Sequence, residues 1–401
     1  MSLRTVLPWI RRARTQGPVK IGFLYPDSGP LAQAGCDMRD GFLLYWNEVG
    51  HRAGGREIQL FLETKGTNNA DEAVVKARKL VEADGIHVFG GIISTPVAYV
   101  LRAYLLDHRI PTIIMNAGAD GLTQAHASEY IFRASFSNSD GSHPLGEWAY
   151  AQGYRRAVIL AADYRAGHEQ IGGFARTFTE SGGQIIQEIY PPLGTVDFSR
   201  YFNPIPRDAD VVGVFFAGAD ALCFVQQYAE CGLKGRIPLI GKGHLVDDMI
   251  LPQQGESALG IVTSLHWSSA LDLPDNRRFV DAYTLRYQRP AGAYAEQGYV
   301  GACMIAKALE VVNGRVENEG TFLEALEKVE VDAPRGKVKL DQYHNPIHTI
   351  YICRVEKRGR VLQNTVIATY PNTSQFWTWT PEAYLAMPSY IDMRGMWTRQ
   401  N

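Results

Sequence analysis

The chain has 401 residues, 46% hydrophobic and 20% charged, a composition that supports a large core or two domains. Its 40 basic and 42 acidic residues nearly cancel, which argues against the positive field of a nucleic-acid or anionic-membrane binder, and no nucleic-acid reading motif is present. No apolar run reaches the roughly 18 residues of a membrane helix, so direct membrane insertion is not expected.

The first fifteen residues place Arg4, Arg11, Arg12 and Arg14 around Trp9 and Ile10 and lack the apolar segment of a secretory signal. Met1-Ser2-Leu3 reads as an added leader, which leaves open both a trimmed signal and a cytoplasmic start. Residues 19–25 then read as a strand that ends at the turn 26–30. A helix is expected from about Asp37 to Glu48, a turn at Gly54-Gly55 and a strand over 58–62. Asn69 and Glu72 have the spacing of a capping box, and Ala70, Ala73, Val74, Ala77, Leu80 and Val81 share one helical face. A strand over 87–92, a helix near 96–107 and a strand over 111–115 follow. Short apolar strands alternating with helices predict a parallel sheet covered on both faces.

The same layered unit returns after Phe136. Strands are expected over 157–161, 184–189, 210–216 and 237–240, with helices over 168–181 and 219–232. Beyond Leu265 the pattern turns helical (276–288, 295–312 and 320–329), and a strand pair near 337–341 and 349–355 precedes an aromatic tail holding Phe376, Trp377 and Trp379. No low-complexity linker divides the halves, so the chain is expected to cross between two lobes more than once. Ligands of parallel α/β sheets sit at the carboxyl ends of strands near a switch point. The loops at those ends are 26–36, 93–96, 116–119, 163–167, 217–220 and 241–244, and two lobes facing each other through them enclose a cleft that needs no catalytic group.

Enzyme motifs fare poorly. No dinucleotide fingerprint and no phosphate-binding P-loop follow a strand. Asp27-Ser28-Gly29-Pro30 has the residues of a protease nucleophile segment but ends the first strand of a parallel unit, the wrong architecture. His344 and His348 have metal spacing only on a helix, which Pro346 forbids, so a surface loop is expected there. Asp163, Asp220 and Glu296 read as isolated carboxylates. The five cysteines form no C-x-x-C pair and read mostly as buried apolar fillers, with a single bridge left open. No metal and no cofactor is expected.

Several segments resemble the branched-chain amino-acid type of periplasmic binding protein, the soluble receptors of ATP-driven importers. They are residues 28–33 with Gly35, Asn47 with Gly54-Gly55, residues 84–91 with Ser94, Ile110-Pro111, Leu122-Thr123, and Phe132-Arg133. Asp163-Tyr164 with Gly167, residues 197–199, Tyr294 with Tyr299, and residues 332–336 continue the series in order, so the resemblance spans about residues 19–355. A related amide-sensing regulator shares several of them. The resemblance implies a type I periplasmic-binding-protein fold: α/β, with two Rossmann-like lobes of parallel sheet joined by three crossings and closing by a hinge. One lobe would comprise residues 17–137 and 266–345, the other 138–265 and 346–390, with 1–16 an N-terminal extension and 391–401 a C-terminal tail.

In such proteins a serine after the third strand and backbone N–H groups after the fourth hold a carboxylate. Those positions match Ser94, followed by Thr95, and Asn116, Ala117 and Gly118 here. The physics suits an anion, since N–H groups and a hydroxyl converge at helix N-termini. The plainer reading of Ser94 is a helix N-cap. The ammonium side departs from the family. The loop Gly241-Lys-Gly-His244 has no acid, Ala166 and Ala34 stand where aromatics are usual, and residues 217–220 are small. An ammonium buried without a partner costs several kcal/mol. Either the ligand lacks one, or Asp220 or Glu296 takes the role; the plain reading of Glu296 is a favourable charge in the first turn of its helix. Tyr25, Tyr99, Tyr164, Trp267 and Tyr294 are candidates for an aromatic wall, and His244 and Lys242 for donors to a polar substituent.

The expected function is an extracytoplasmic, periplasmic receptor of an importer, with a membrane permease as partner. Its first-choice ligand is a small carboxylate, an aromatic or heteroaromatic acid, ahead of an amino acid and then an amide or urea. The rivals are a cytoplasmic amide or urea sensor on the same fold and an α/β enzyme using Asp163, Asp220 or His244.

Overall fold

The computed structural model describes residues 17–65 and 70–399; the basic segment 1–16 and the cap expected at Asn69 lie outside the described residues. The first lobe contains β1 (Val19–Pro26), β2 (Arg52–Ala53), β3 (Arg56–Lys65), β4 (Val88–Gly91), β5 (Thr112–Ile114) and β6 (Ile131–Arg133). They form one sheet in the order β2-β3-β1-β4-β5-β6, parallel except for the β2–β3 pair. The second lobe contains β7 (Arg156–Ala161), β8 (Gln184–Ile189), β9 (Val211–Phe215), β10 (Leu239–Lys242) and β11 (Val262–Leu265). Strands β12 (Glu330–Ala333), β13 (Gly336–Leu340), β14 (Pro346–Arg358) and β15 (Val361–Thr373) complete a sheet ordered β12-β13-β14-β11-β10-β9-β7-β8, with β15 paired to β14.

The central strands are unbroken apolar runs because helices cover both faces. All five residues of β9 are buried, as are the last five of β7. Both sheets reverse their strand order at one place, between β1 and β4 in the first and between β7 and β9 in the second. Core membership traces the passages between lobes. The main core of the first lobe draws on residues 19–134 and again on 294–338. The second lobe's cores draw on residues 145–262, then on 352–355 and 376–397. The chain thus passes between lobes three times. A smaller core of Trp267, Phe279, Tyr283, Tyr299 and Tyr351 lies beside the second and third passages.

Two helices of the first lobe, Ala32–Glu48 and Ala293–Val311, cross in close contact. A Cβ on Gly41 would lie 1.8 Å from Ala295 O, and one on Gly298 would lie 2.0 Å from Met38 O, so only glycine permits this approach.

Several expectations need correction. The helix expected from Asp37 begins at Ala32. Strands β2, β6, β11, β12 and β15 have no counterpart in the sequence reading, and the chain past residue 355 is a long antiparallel hairpin before the aromatic tail. His344 and His348 are buried, not on a surface loop. Pro346 does exclude a helix, but it opens β14, whose first residues run between the lobes. All five cysteines are free; Cys353 is buried, Cys231 exposed and the other three intermediate. Among the described residues no helix is long and apolar enough to cross a membrane.

Candidate functional site

A cavity of about 260 Å³ lies between the lobes at the two switch points. All six strand-end loops contribute to its lining. Of the residues singled out from sequence, Tyr25, Ser94, Thr95, Asn116, Gly118, Tyr164, Asp220 and His244 line it, and so does Tyr294. Ala117, Glu296, Tyr99, Trp267 and Lys242 do not.

Ser94 sits at the N-cap of the 13-residue helix Thr95–Asp107, with the extended backbone of a cap (φ −99°, ψ 137°). Its hydroxyl makes no capping bond, and Oγ is buried without a hydrogen-bond partner among the described residues. Thr95 is buried at the first helical position. Asn116 follows β5 and donates Nδ2 to Gln297 Oε1 at 2.7 Å, which anchors its side chain. Gly118 is glycine for want of room: a Cβ would lie 2.2 Å from Asn138 Oδ1 and 2.6 Å from the Phe136 ring. Ala117 misses the cavity because its N–H is spent on Ile92 O (3.0 Å), its carbonyl accepts from Arg133, and its side chain packs with Leu24 and Ile92 behind the sheet.

The second lobe presents a different wall. Tyr164 precedes helix Arg165–Glu180 and tilts against Phe215, with ring centroids 6.4 Å apart. Asp220, in the first turn of helix Gly218–Glu230, is buried and accepts the Gly194 N–H at 2.9 Å. Burial raises its carboxyl pKa against that hydrogen bond. His244 is wholly enclosed, its ring 5.3 Å from Phe136 and 5.4 Å from Tyr294. Burial, aided by the charge of Lys242, lowers its pKa to about 3, so it is neutral at physiological pH. Neither ring nitrogen has a partner among the described residues.

The carboxylates read as isolated are all engaged. Asp163 meets His168 at 2.9 Å and Arg394 at 2.7 Å, and Asp220 is the one just described. Glu296 points away from the cavity, where Arg335 takes it at 2.9 Å and His266 approaches at 3.5 Å. This pair belongs to a buried ionic cluster beneath the cavity. Asp140 lies 3.5 Å from Lys242 and 3.5 Å from His348, and His348 stacks on His266 at 5.4 Å. Burial acts to raise the Asp140 carboxyl, but Lys242 and His348 outweigh it and hold its pKa at about 2. Asp140, His266 and His348 lie one on each passage between lobes. Phe136, which stacks on His266 at 5.5 Å, connects this cluster to the cavity floor. Lys242 is thereby committed to the cluster and not to the cavity.

Sequence reasoning missed Phe136, Asn138, Gln170 and Phe215 in the lining. A signal existed for Gln170, which lies one helical turn beyond Ala166 and shares its face. Phe136 and Asn138 sit on the first passage, where no periodicity marks them. Among the described residues no group of three or more His, Cys, Asp or Glu side chains is placed to hold a metal.

Two α/β lobes, three passages and a mostly apolar cavity at facing switch points define a two-lobed solute-binding protein. The chain belongs to the periplasmic binding protein family, whose model it matches over residues 18–360. It is 30% identical over 346 residues to "Leu/Ile/Val-binding protein homolog 6" of Brucella melitensis, covering 84% of this chain and 88% of the relative. Among solved structures it resembles an ABC transporter substrate-binding protein from Sphaerobacter thermophilus, with 38% identity and a TM-score of 0.85 over 89% of this chain and 98% of the other. It also resembles a solute-binding protein of an ABC transporter from R. palustris in complex with benzoate. There the identity is 30% and the TM-score 0.81, over 88% of this chain and 98% of that one. The family and these neighbours are binding proteins, not enzymes.

Proposed function

We propose that this protein is the extracytoplasmic, periplasmic receptor of an ABC importer, that it delivers its cargo to a membrane permease, and that the cargo is a small aromatic carboxylate. The observation that carries the reading is the Ser94 hydroxyl: buried, without a partner among the described residues, at the N-terminus of a helix, on the wall of a largely apolar cavity. A hydroxyl and helix N–H groups suit an anion. Ser94 and Thr95, with backbone groups at Asn116 and Gly118, hold the carboxylate from the first lobe. Phe136, Tyr164, Phe215 and Tyr294 supply faces for a flat ring. No acid replaces the missing ammonium partner in the loop 241–244, and the resemblance to a benzoate-bound protein supports the same ligand class. The lobes hinge about the three passages, near residues 137–138, 265–266 and 345–346, and close on the ligand.

Calorimetric titration tests this reading. Benzoate-like acids should bind and leucine or valine should bind far more weakly; tight leucine binding with no response to any aromatic acid would overturn the ligand class. Ser94→Ala should weaken the carboxylate ligand by about 1.5–3 kcal/mol, the range for a hydrogen bond to a charged group. Unchanged affinity would remove Ser94 from the site.

A further inference from the structure

Four buried polar atoms on side chains that line the cavity lack a partner among the described residues: Ser94 Oγ, Gln170 Oε1, and both ring nitrogens of His244. A buried polar atom left unpaired is destabilising, so four of them in one mostly apolar cavity point to polar atoms on the ligand. A carboxylate at Ser94 accounts for one.

The other three, all in the second lobe, ask for something a carboxylate lacks. Gln170 has its amide orientation set by its neighbours. Glu169 Oε2 accepts Asn138 Nδ2 at 2.7 Å, so Asn138 turns Oδ1 toward Gln170 Nε2 at 3.5 Å. What Gln170 has left is a carbonyl oxygen, which only accepts, and a carboxylate has no proton to give it. His244, as a neutral imidazole, offers one donor and one acceptor. A hydroxyl both gives and takes a hydrogen bond, so it suits the Gln170 carbonyl as a donor and either nitrogen of His244 as donor or acceptor. An ammonium would donate too, but it needs an anionic partner when buried. Among the described lining residues Asp220 is the one acid; it holds the Gly194 N–H through Oδ2, and burial disfavours its charged form, which weakens it as a partner for an ammonium.

We infer that the ligand carries, besides its carboxylate, a neutral hydrogen-bond donor of the ring-hydroxyl kind, and that Gln170 and His244 recognise it from the second lobe. This rests on the aromatic-carboxylate reading and narrows it to hydroxylated aromatic acids. It also gives each lobe one polar group of the ligand to hold.

The test is calorimetric titration of the full chain with benzoate, 3-hydroxybenzoate, 4-hydroxybenzoate and 4-methylbenzoate. At least one hydroxybenzoate should bind about ten-fold tighter than benzoate, with no such gain for the methyl compound of similar size. Gln170→Leu and His244→Phe should each cut that preference to about three-fold or less, because the polar partner is gone while the apolar enclosure stays. The preference in the unmodified protein stands as a test even where a variant fails to fold. Benzoate and 4-methylbenzoate binding as tightly as both hydroxybenzoates would overturn the inference and leave the carboxylate receptor intact. Binding of none of the four acids overturns the aromatic-acid reading, and the inference with it.

Discussion

Glu296→Leu should lower the stability of the protein by about 3–5 kcal/mol, whereas Arg335→Met should cost only about half as much. Both side chains are fully buried, and Arg335 Nη1 meets the two carboxylate oxygens at 3.1 and 2.9 Å. The asymmetry follows from acid–base chemistry. Without Glu296, a guanidinium remains in the interior and cannot shed its proton. Without Arg335, the carboxyl can take one up. Burial already pushes Glu296 to about 7 against the pull of Arg335, so losing the arginine raises it further and leaves a neutral acid at working pH. Urea unfolding at pH 7 measures both losses. The Arg335→Met penalty should shrink as pH falls below 7, where protonation is easier, while the Glu296→Leu penalty should not. Equal penalties with equal pH profiles would show that the pair behaves as ordinary packing.

The same pair explains why an attractive sequence hypothesis had to change. Glu296 stands in the first turn of a helix that the family brings near the cleft, and as a string of letters it has no partner. Arg335 lies 39 positions away and joins it only because the turn between β12 and β13 packs into the first lobe. Non-local pairing of this kind is invisible to spacing rules. Most of the parallel strands, by contrast, were legible because strands covered on both faces must be apolar throughout, and the position of the cleft followed from their ends; β6 and β11, only three and four residues long, were too short to stand out. The His344–Pro346–His348 segment misled because proline does forbid the helix, and a loop is the usual next guess. In the fold it opens a strand whose start is enclosed by the other two passages, and His348 is held there against Asp140. Gln170 was missed for a simpler reason. Polar residues near a helix start are common on solvated faces, and only the fold turns this one inward, against Asn138 and the cavity.

The neighbouring Glu169 sets a pH dependence. Glu169, on the second lobe's helix Arg165–Glu180, reaches the first lobe, where its Oε2 accepts the Asp120 N–H at 3.2 Å. Asp120 is buried beside it, with Oδ1 accepting Ser139 N–H at 3.0 Å. Burial first, and the charge of Asp120 second, raise the Glu169 carboxyl well above the ordinary carboxylate range; the hydrogen bonds from Asn138 and Asp120 and the charge of Arg165 oppose this without reversing it. An acid whose folded pKa is raised binds more protons folded than unfolded. Its contribution is therefore fully present below the unfolded value, near 4.3, and is lost as pH rises through the raised folded value. Glu169→Gln removes the titration while keeping a carbonyl acceptor for Asn138 and Asp120. The variant should match the wild type near pH 4 and exceed its stability by several kcal/mol at pH 9, since each unit of pKa displacement is worth roughly 1.4 kcal/mol. Because the comparison is a difference, the buried histidines, which titrate in both proteins, largely cancel. On the hinge closure proposed above, separating the lobes would hydrate Glu169 as unfolding does, so the alkaline penalty would fall on the closed form in particular. Ligand affinity should then decline in the wild type between pH 7 and 9 and decline less in Glu169→Gln. Unfolding midpoints and titrations at the two pH values separate these effects. A variant that gains stability but not affinity would place the cost on the fold alone, and one that gains neither would mean that Glu169 stays hydrated when the lobes meet.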